Sequence, residues 1–172
     1  IKYFEEDHIE ITNSNVLYLN YLSERYNVIS LKATINKYID DNSTNIINSH
    51  LPIYIEENEI TNSSQFELLL SKHLIEFTTD DRLLQLPISN IHRILSQYFK
   101  MYEEREANIE ENKLIIDFVM RYIESRGPQA SFLLSTMKVE AENTEYLNRK
   151  MSENINSIDL NIPTTPSILI DI

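Results

Sequence analysis

Among the side chains able to do acid–base or metal chemistry, His73 and Glu76 stand at the most useful spacing. Three residues apart on a helix, they share a face and could offer an imidazole nitrogen and a carboxylate to one cation. A metal site in a helical protein needs more ligands, as when one Glu-x-x-His pair faces another. No second pair follows here, so the two residues read as a surface or helix-end pair. Glu103, Glu104, Glu106, Glu110 and Glu111 form an acidic run. Two carboxylates divide acid and base work only where a cleft separates their pKa values. With Arg105 in its midst and few apolar neighbours, this run reads as a solvated face. His8, after Glu5, Glu6 and Asp7, suits a solvated turn better than a cation site. His92, between Ile91 and Arg93, reads as a boundary residue.

Composition removes whole classes of function. The 172 residues contain one glycine, Gly127, and no cysteine. A dinucleotide-binding turn and a phosphate-cradling loop each need at least two glycines, and the nucleophile elbow of acyl hydrolases needs two as well. Without cysteine there are no thiolate metal sites, disulfides or thiol nucleophiles. The net charge is −12 and no basic patch breaks it, so the counterion-releasing surface that grips nucleic acid is missing. The acidity instead favours solubility and a basic partner surface. No apolar run reaches membrane-spanning length, and no signal-peptide pattern opens the chain. Neither a cofactor nor a metal is expected. The chain opens on Ile1 rather than Met, which reads as a fragment or an incomplete gene model.

The elements that would position any site are helices, because apolar residues recur at helical spacing almost throughout. Ile9-Glu10-Ile11 alternates and predicts one short strand. Thr12 offers an N-cap oxygen to a helix striped by Val16, Leu19, Leu22 and Tyr26. Leu17, Tyr18 and Tyr21 lie off that stripe, so this helix is apolar on more than one face and predicts an exposed N-terminal patch. Leu31, Ile35, Tyr38 and Ile39 mark a second helix. Residues 40–64 are rich in Asn, Asp, Ser and Thr, which favour turns, with only weak helical marks around Ile46–Ile55. Phe66, Leu70, Leu74 and Phe77 then share a face. Thr79-Asp80-Asp81 reads as a break, and Pro87 fits the first turn of a helix facing inward through Ile88, Ile91, Leu95, Tyr98 and Tyr102.

Leu114, Ile115, Phe118, Val119, Tyr122 and Ile123 form the clearest amphipathic helix, which predicts a deeply buried Phe118. Gly127-Pro128 ends that helix and begins another with Ala130, Leu133, Leu134 and Met137 inward. Leu147, Met151 and Ile155 give the tail a thin stripe. Pro163 and Pro166 stop helix formation. Ile168–Ile172 is an apolar stub, either the first strand of a further domain or a frayed end.

Two stretches resemble a known family. IKYFEEDHIEITNSNVLYLNYLSERYNVISLKATINKYI is similar to the closing segment of a BTB (POZ) domain, where a short strand leads into two helices spaced like Val16, Leu19, Leu22, Val28 and Leu31. FELLLSKHLIEFTTDDRLLQLPISNIHRIL resembles the start of a BACK domain, with Phe77 closing a helix and Leu84-Gln85-Leu86-Pro87 as the step after it. IEENKLIIDFVMRYIES and FLLSTMKV resemble the next two BACK helices. The chain departs from the family in lacking a glycine near Asp7 and a cysteine near Asn36, and in placing Tyr122 where a tryptophan is usual.

The resemblance implies an all-α fold: a helical-hairpin array of BACK type preceded by the last helices of a truncated BTB domain, with at most one vestigial strand pair. It places residues 1–39 at the end of the BTB part, 40–63 in a connection, 64–139 in the BACK-like domain and 140–172 in a tail leading to a further domain. It implies a non-enzymatic adaptor, cytoplasmic or nuclear, that helps present substrates to a cullin-type ubiquitin ligase. The alternative is a self-associating scaffold with no ligase role. Partners would be proteins, among them a cullin and a second copy meeting through the rest of the BTB domain, with no nucleic acid and no membrane. Leu51, Ile53 and Ile55 are the apolar residues that would face a cullin; packing against the first BACK helices would use the same residues. Substrate recognition would lie beyond Ile172.

Overall fold

The structure, a computed structural model, describes residues 10–57, 63–102 and 108–159. Those residues are almost entirely helical and include no strand. The chain divides into two compact units, Ile1–Leu69 and Leu70–Ile172.

The first unit is built on a hairpin of α1 (Val16–Arg25) and α2 (Ile29–Glu57). Asn15, not Thr12, occupies the N-cap position of α1. Its side chain ties down the incoming chain instead of the helix amides, accepting from the Thr12 amide at 2.9 Å and donating to the Glu10 carbonyl at 2.9 Å. Glu10 and Ile11, two of the three residues expected in a strand, are irregular, and Ile9 lies outside the described residues. The helix ends in a Schellman arrangement. The Val28 amide reaches back to the Ser23 carbonyl at 2.9 Å and the Asn27 amide to Glu24 at 3.2 Å, with Asn27 in the left-handed region at φ 52°. Asparagine tolerates that conformation better than other non-glycine residues.

α2 runs on to Glu57 through the stretch whose composition favoured turns, bending at Asn42, where φ is −129°. Its polar side chains are satisfied within the helix: Asn42 donates to the Tyr38 carbonyl at 2.9 Å and Ser49 to Ile46 at 3.0 Å. Ile35, Ile46, Ile47, Leu51 and Tyr54 are fully buried at helical spacing. Burial of that stripe outweighs weak propensity, as tertiary packing commonly does. Pro52 sits inside the helix without breaking it. The ring of Phe66, on α3 (Ser63–Lys72), meets Tyr54 edge-on at 5.0 Å and His50 at 6.1 Å. Burial holds the His50 imidazole below its usual pKa. The Tyr54 hydroxyl donates to the buried Glu67 carboxylate.

In the second unit, α4 (Leu74–Phe77) is followed by a 3-10 helix, Asp81–Gln85. Asp80 caps it through the Arg82 amide at 2.9 Å and also grips the Arg82 guanidinium at 2.6 Å, which holds its carboxyl below the usual range. α5 (Ile88–Tyr102) follows Pro87 directly and buries Ile91, Ile94, Leu95, Tyr98 and Phe99. α6 (Ile109–Arg126) is the centre of this unit. Asn108 caps it by accepting from the Glu110 and Glu111 amides at 3.1 and 3.2 Å. Ile115, Phe118, Val119, Tyr122 and Ile123 are buried as the periodicity predicts, but Leu114 is exposed. The Tyr122 hydroxyl donates to the Leu86 carbonyl at 2.6 Å, fixing α6 against the Leu-Pro step.

Gly127 ends α6 at φ 85°, a conformation that penalises any side chain. The segment after it, Pro128–Thr136, is a 3-10 helix and not the α-helix that the pattern implied, yet Ala130, Leu133, Leu134 and Met137 are buried as expected. α7 (Thr144–Glu153) closes the unit through Leu147 and Met151. Ile155, expected on that stripe, is exposed and Ile158 is buried in its stead. A buried amide cluster anchors the segment before α7. Asn112 donates to the Lys138 carbonyl at 2.7 Å, and Asn143 donates to Asn112 at 3.1 Å and to the Ile109 carbonyl at 2.9 Å. The Tyr102 side chain, Pro163, Pro166 and Ile168–Ile172 lie outside the described residues.

Candidate functional site

Two surfaces have the chemistry of a site. In the second unit, Thr78, Thr79, α6 and α7 enclose a groove of about 560 Å³ with Leu114, Phe118 and Met120 along its floor. Its Asp117, Arg121 and Lys150 are already engaged. The Asp117 carboxylate accepts from the Tyr146 hydroxyl at 2.7 Å and from the Lys150 ammonium at 3.1 Å. Burial, then the hydrogen bond to Asp117, push the Tyr146 phenol up, while Asp117 raises Lys150. Arg121 donates to the Thr78 carbonyl at 3.0 Å and pairs with Asp81. Glu124 and Glu153 also line the groove.

The second surface is the outer face of α1. Tyr18, Tyr21, Leu22, Arg25 and Tyr26 recur at helical spacing along it. Tyr18 is 50% exposed and Tyr26 67%, so Tyr26, expected on the inward stripe, faces solvent, and Leu17 is buried in its stead. Arg25 sits among the rings. It donates to the Tyr21 hydroxyl at 2.7 Å, and its guanidinium lies 5.9 Å from the Tyr21 ring centroid and 6.0 Å from that of Tyr26. The hydrogen bond to Tyr21, followed by the fields of Tyr21, Tyr26 and Tyr18, raises its pKa further. Val28, 41% exposed, and Ile29, 75% exposed, extend the apolar surface around the hairpin turn. The tight Schellman ending leaves these two residues at the corner, beyond the inward faces of both helices.

The sequence candidates fare differently. Leu51 is fully buried, so it serves the core and is not presented to a partner. Ile53 is 44% exposed and Ile55 half-buried. Of the three, only Ile53 offers a largely free side chain; Ile53→Ala is expected to change stability by less than about 0.5 kcal/mol in a denaturant titration. A loss above about 1.5 kcal/mol would place Ile53 in the core beside Leu51.

His73 and Glu76 do pair, Nδ1 to Oε1 at 2.8 Å, at the start of α4 on the surface. Among the described residues no group of three His, Asp or Glu side chains could share a metal. Glu110 pairs with Lys113 at 2.8 Å in the first turn of α6, and Glu111 accepts from Tyr98. Glu103, Glu104, Glu106 and His8 lie outside the described residues. His92 is half-buried, its ring 5.6 Å from Phe132. Among the described residues no helix is long and apolar enough to cross a membrane.

No model of a known protein family, no curated protein and no solved structure matches this chain.

The α1 face was only half legible. Its excess of apolar residues stood out in the sequence, but the Arg25–tyrosine arrangement was missed. The signal was there: Tyr18, Tyr21, Arg25 and Tyr26 at i, i+3, i+7 and i+8 describe one helix face.

Proposed function

We propose that this chain is a non-enzymatic protein-interaction adaptor of the BTB–BACK kind, working in the cytoplasm or nucleus to help present substrates to a cullin-type ubiquitin ligase. The observation that carries the reading is the corner where α1 meets α2, with Tyr26, Val28 and Ile29 all turned to solvent. Contiguous exposed aromatic and aliphatic side chains are what protein partners bury. The corner lies in the stretch whose spacing resembles the end of a BTB domain. The sequence stretches that follow, from Phe66 to Val139, resemble BACK helices in order, which supports the same reading.

The test is direct binding between the purified chain and a cullin N-terminal domain, followed by interferometry. Saturable binding that Ile29→Asp weakens by about tenfold or more is expected, since a carboxylate would have to be buried at the contact. No binding at about 100 µM cullin domain would overturn the ligase reading. The same corner supports a second reading, a scaffold that self-associates through it. Sedimentation showing a dimer that Ile29→Asp dissolves, with no cullin binding, would favour that one.

A further inference from the structure

His50 is 7% exposed on the inward face of α2, and its ring lies 6.1 Å from that of Phe66 on α3. Ile46, Ile47, Leu51 and Tyr54 share that face and are fully buried. Among the described residues nothing bonds to the imidazole nitrogens, and no charged neighbour offsets the burial that lowers its pKa. The titratable groups around it have other partners. Tyr54, one turn along α2, donates to Glu67 of α3, itself 3% exposed. On α1, Glu24 pairs with Lys32 and accepts from Gln65, while Arg25 donates to Tyr21. Every ionised side chain of α2, and Lys72 of α3, is exposed. A neutral imidazole suits this place, whereas an imidazolium there is a buried charge without a counter-ion.

We propose that His50 is an acid-sensing switch in the unit Ile1–Leu69: on taking up a proton its ring leaves the cluster, and the packing of the first turns of α3 on the second half of α2 loosens. Phe66 meets both His50 and Tyr54, the latter edge-on at 5.0 Å, so displacing one ring disturbs the other. In the folded unit His50 is held below the ordinary histidine value of 6.5, so the opened form binds the proton more tightly. The stability contributed by the neutral ring is therefore fully present above pH 6.5 and is lost as pH falls through 6.5 toward the folded-state value. One proton shifts the opening equilibrium by up to about tenfold per pH unit. Carboxylates titrate near about 4, so the window between pH 6.5 and about 5 belongs to histidine.

The test uses the full chain. Proton NMR of the histidine rings, with His50 assigned as the signal missing in His50→Gln, should show it titrating below 6.5. Amide hydrogen exchange, corrected for its intrinsic pH dependence, should report opening of α3 and the second half of α2 that is about fivefold greater at pH 5.5 than at pH 7. Amides at the centre of α6 should not follow. In His50→Gln and His50→Leu, neither of which can take a proton there, the increase should fall below about twofold. Leucine keeps the place apolar should glutamine unsettle it. Each variant is compared with itself across pH, so a general loss of stability drops out.

A His50 that titrates at or above 6.5 would overturn the proposal, since Glu67 would then have turned from Tyr54 to the imidazolium and acid would tighten the unit. So would exchange in α3 that is the same at pH 7 and pH 5.5. An increase that persists undiminished in both variants would also overturn it, by placing the sensing group elsewhere. The adaptor reading enters none of these outcomes and stands or falls with its own binding test.

Discussion

Phe118→Ala should lower the stability of the unit Leu70–Ile172 by about 3–5 kcal/mol, the cost of deleting a fully packed aromatic ring from a core. Phe118 is 1% exposed in the middle of α6, its ring centroid 6.3 Å from that of Tyr122. Helices on either side fix the backbone around it, so the site cannot collapse to fill the space. Its outer edge also meets the floor of the groove beside Leu114 and Met120. Truncation would therefore deepen that groove and admit water to apolar walls, adding to the lost transfer energy. Urea titration monitored by far-UV circular dichroism measures the effect. A loss under about 1 kcal/mol would mean that α6 is peripheral and that the second unit is organised around some other element.

Asn112→Ala should cost roughly 2–4 kcal/mol, although asparagine contributes little apolar area, because it withdraws partners from several buried groups at once. Asn112 is 1% exposed. It donates to the Lys138 carbonyl at 2.7 Å and accepts from the Glu140 amide at 3.3 Å and the Asn143 side chain at 3.1 Å. Those bonds fasten the segment between the 3-10 helix Pro128–Thr136 and α7 onto α6. The effect should be local as well as global. Amides of α7 should exchange hydrogen faster in the variant than those at the centre of α5, because α7 loses its mooring before the core opens. Uniform acceleration across the unit, or none, would show that α7 holds its place through Leu147 and Met151 alone.

Much of this architecture was legible in particular residues. The stripe from Ile115 to Ile123 and the inward set Phe66, Leu70, Leu74 and Phe77 are buried as read, because helical periodicity is a local property and survives any packing. Asp80 and Gly127 act at the break and the helix end where the pattern put them, since a cap or a positive φ is settled within a few residues. The turn-rich reading of residues 40–64, with only weak helical marks around Ile46–Ile55, fails over 40–57, which are helical. Asn42 and Ser49 bond to carbonyls of their own helix, and only burial of Ile46, Ile47, Leu51 and Tyr54 makes that arrangement the stable one. The same burial withdrew Leu51 from the candidate contact surface and left Ile53 outside.

By itself, then, the sequence determined that the described chain is helical, which stripes face a core, and that glycine-built phosphate sites and cysteine chemistry are absent. Tertiary structure decided the rest. It carried α2 through a polar stretch with a bend at Asn42, divided the chain after Leu69, and turned Tyr26 outward while Leu17 went in. The physical reason lies in α1 itself. A helix apolar on two faces has no local preference for which is covered, because burying either removes similar area from water. The choice falls to the element that packs against it, and that element is α2, brought alongside by the left-handed Asn27. Once α2 takes the face of Val16, Leu17 and Leu19, the tyrosines and Arg25 are left to solvent, and the face they form exists only in the folded hairpin.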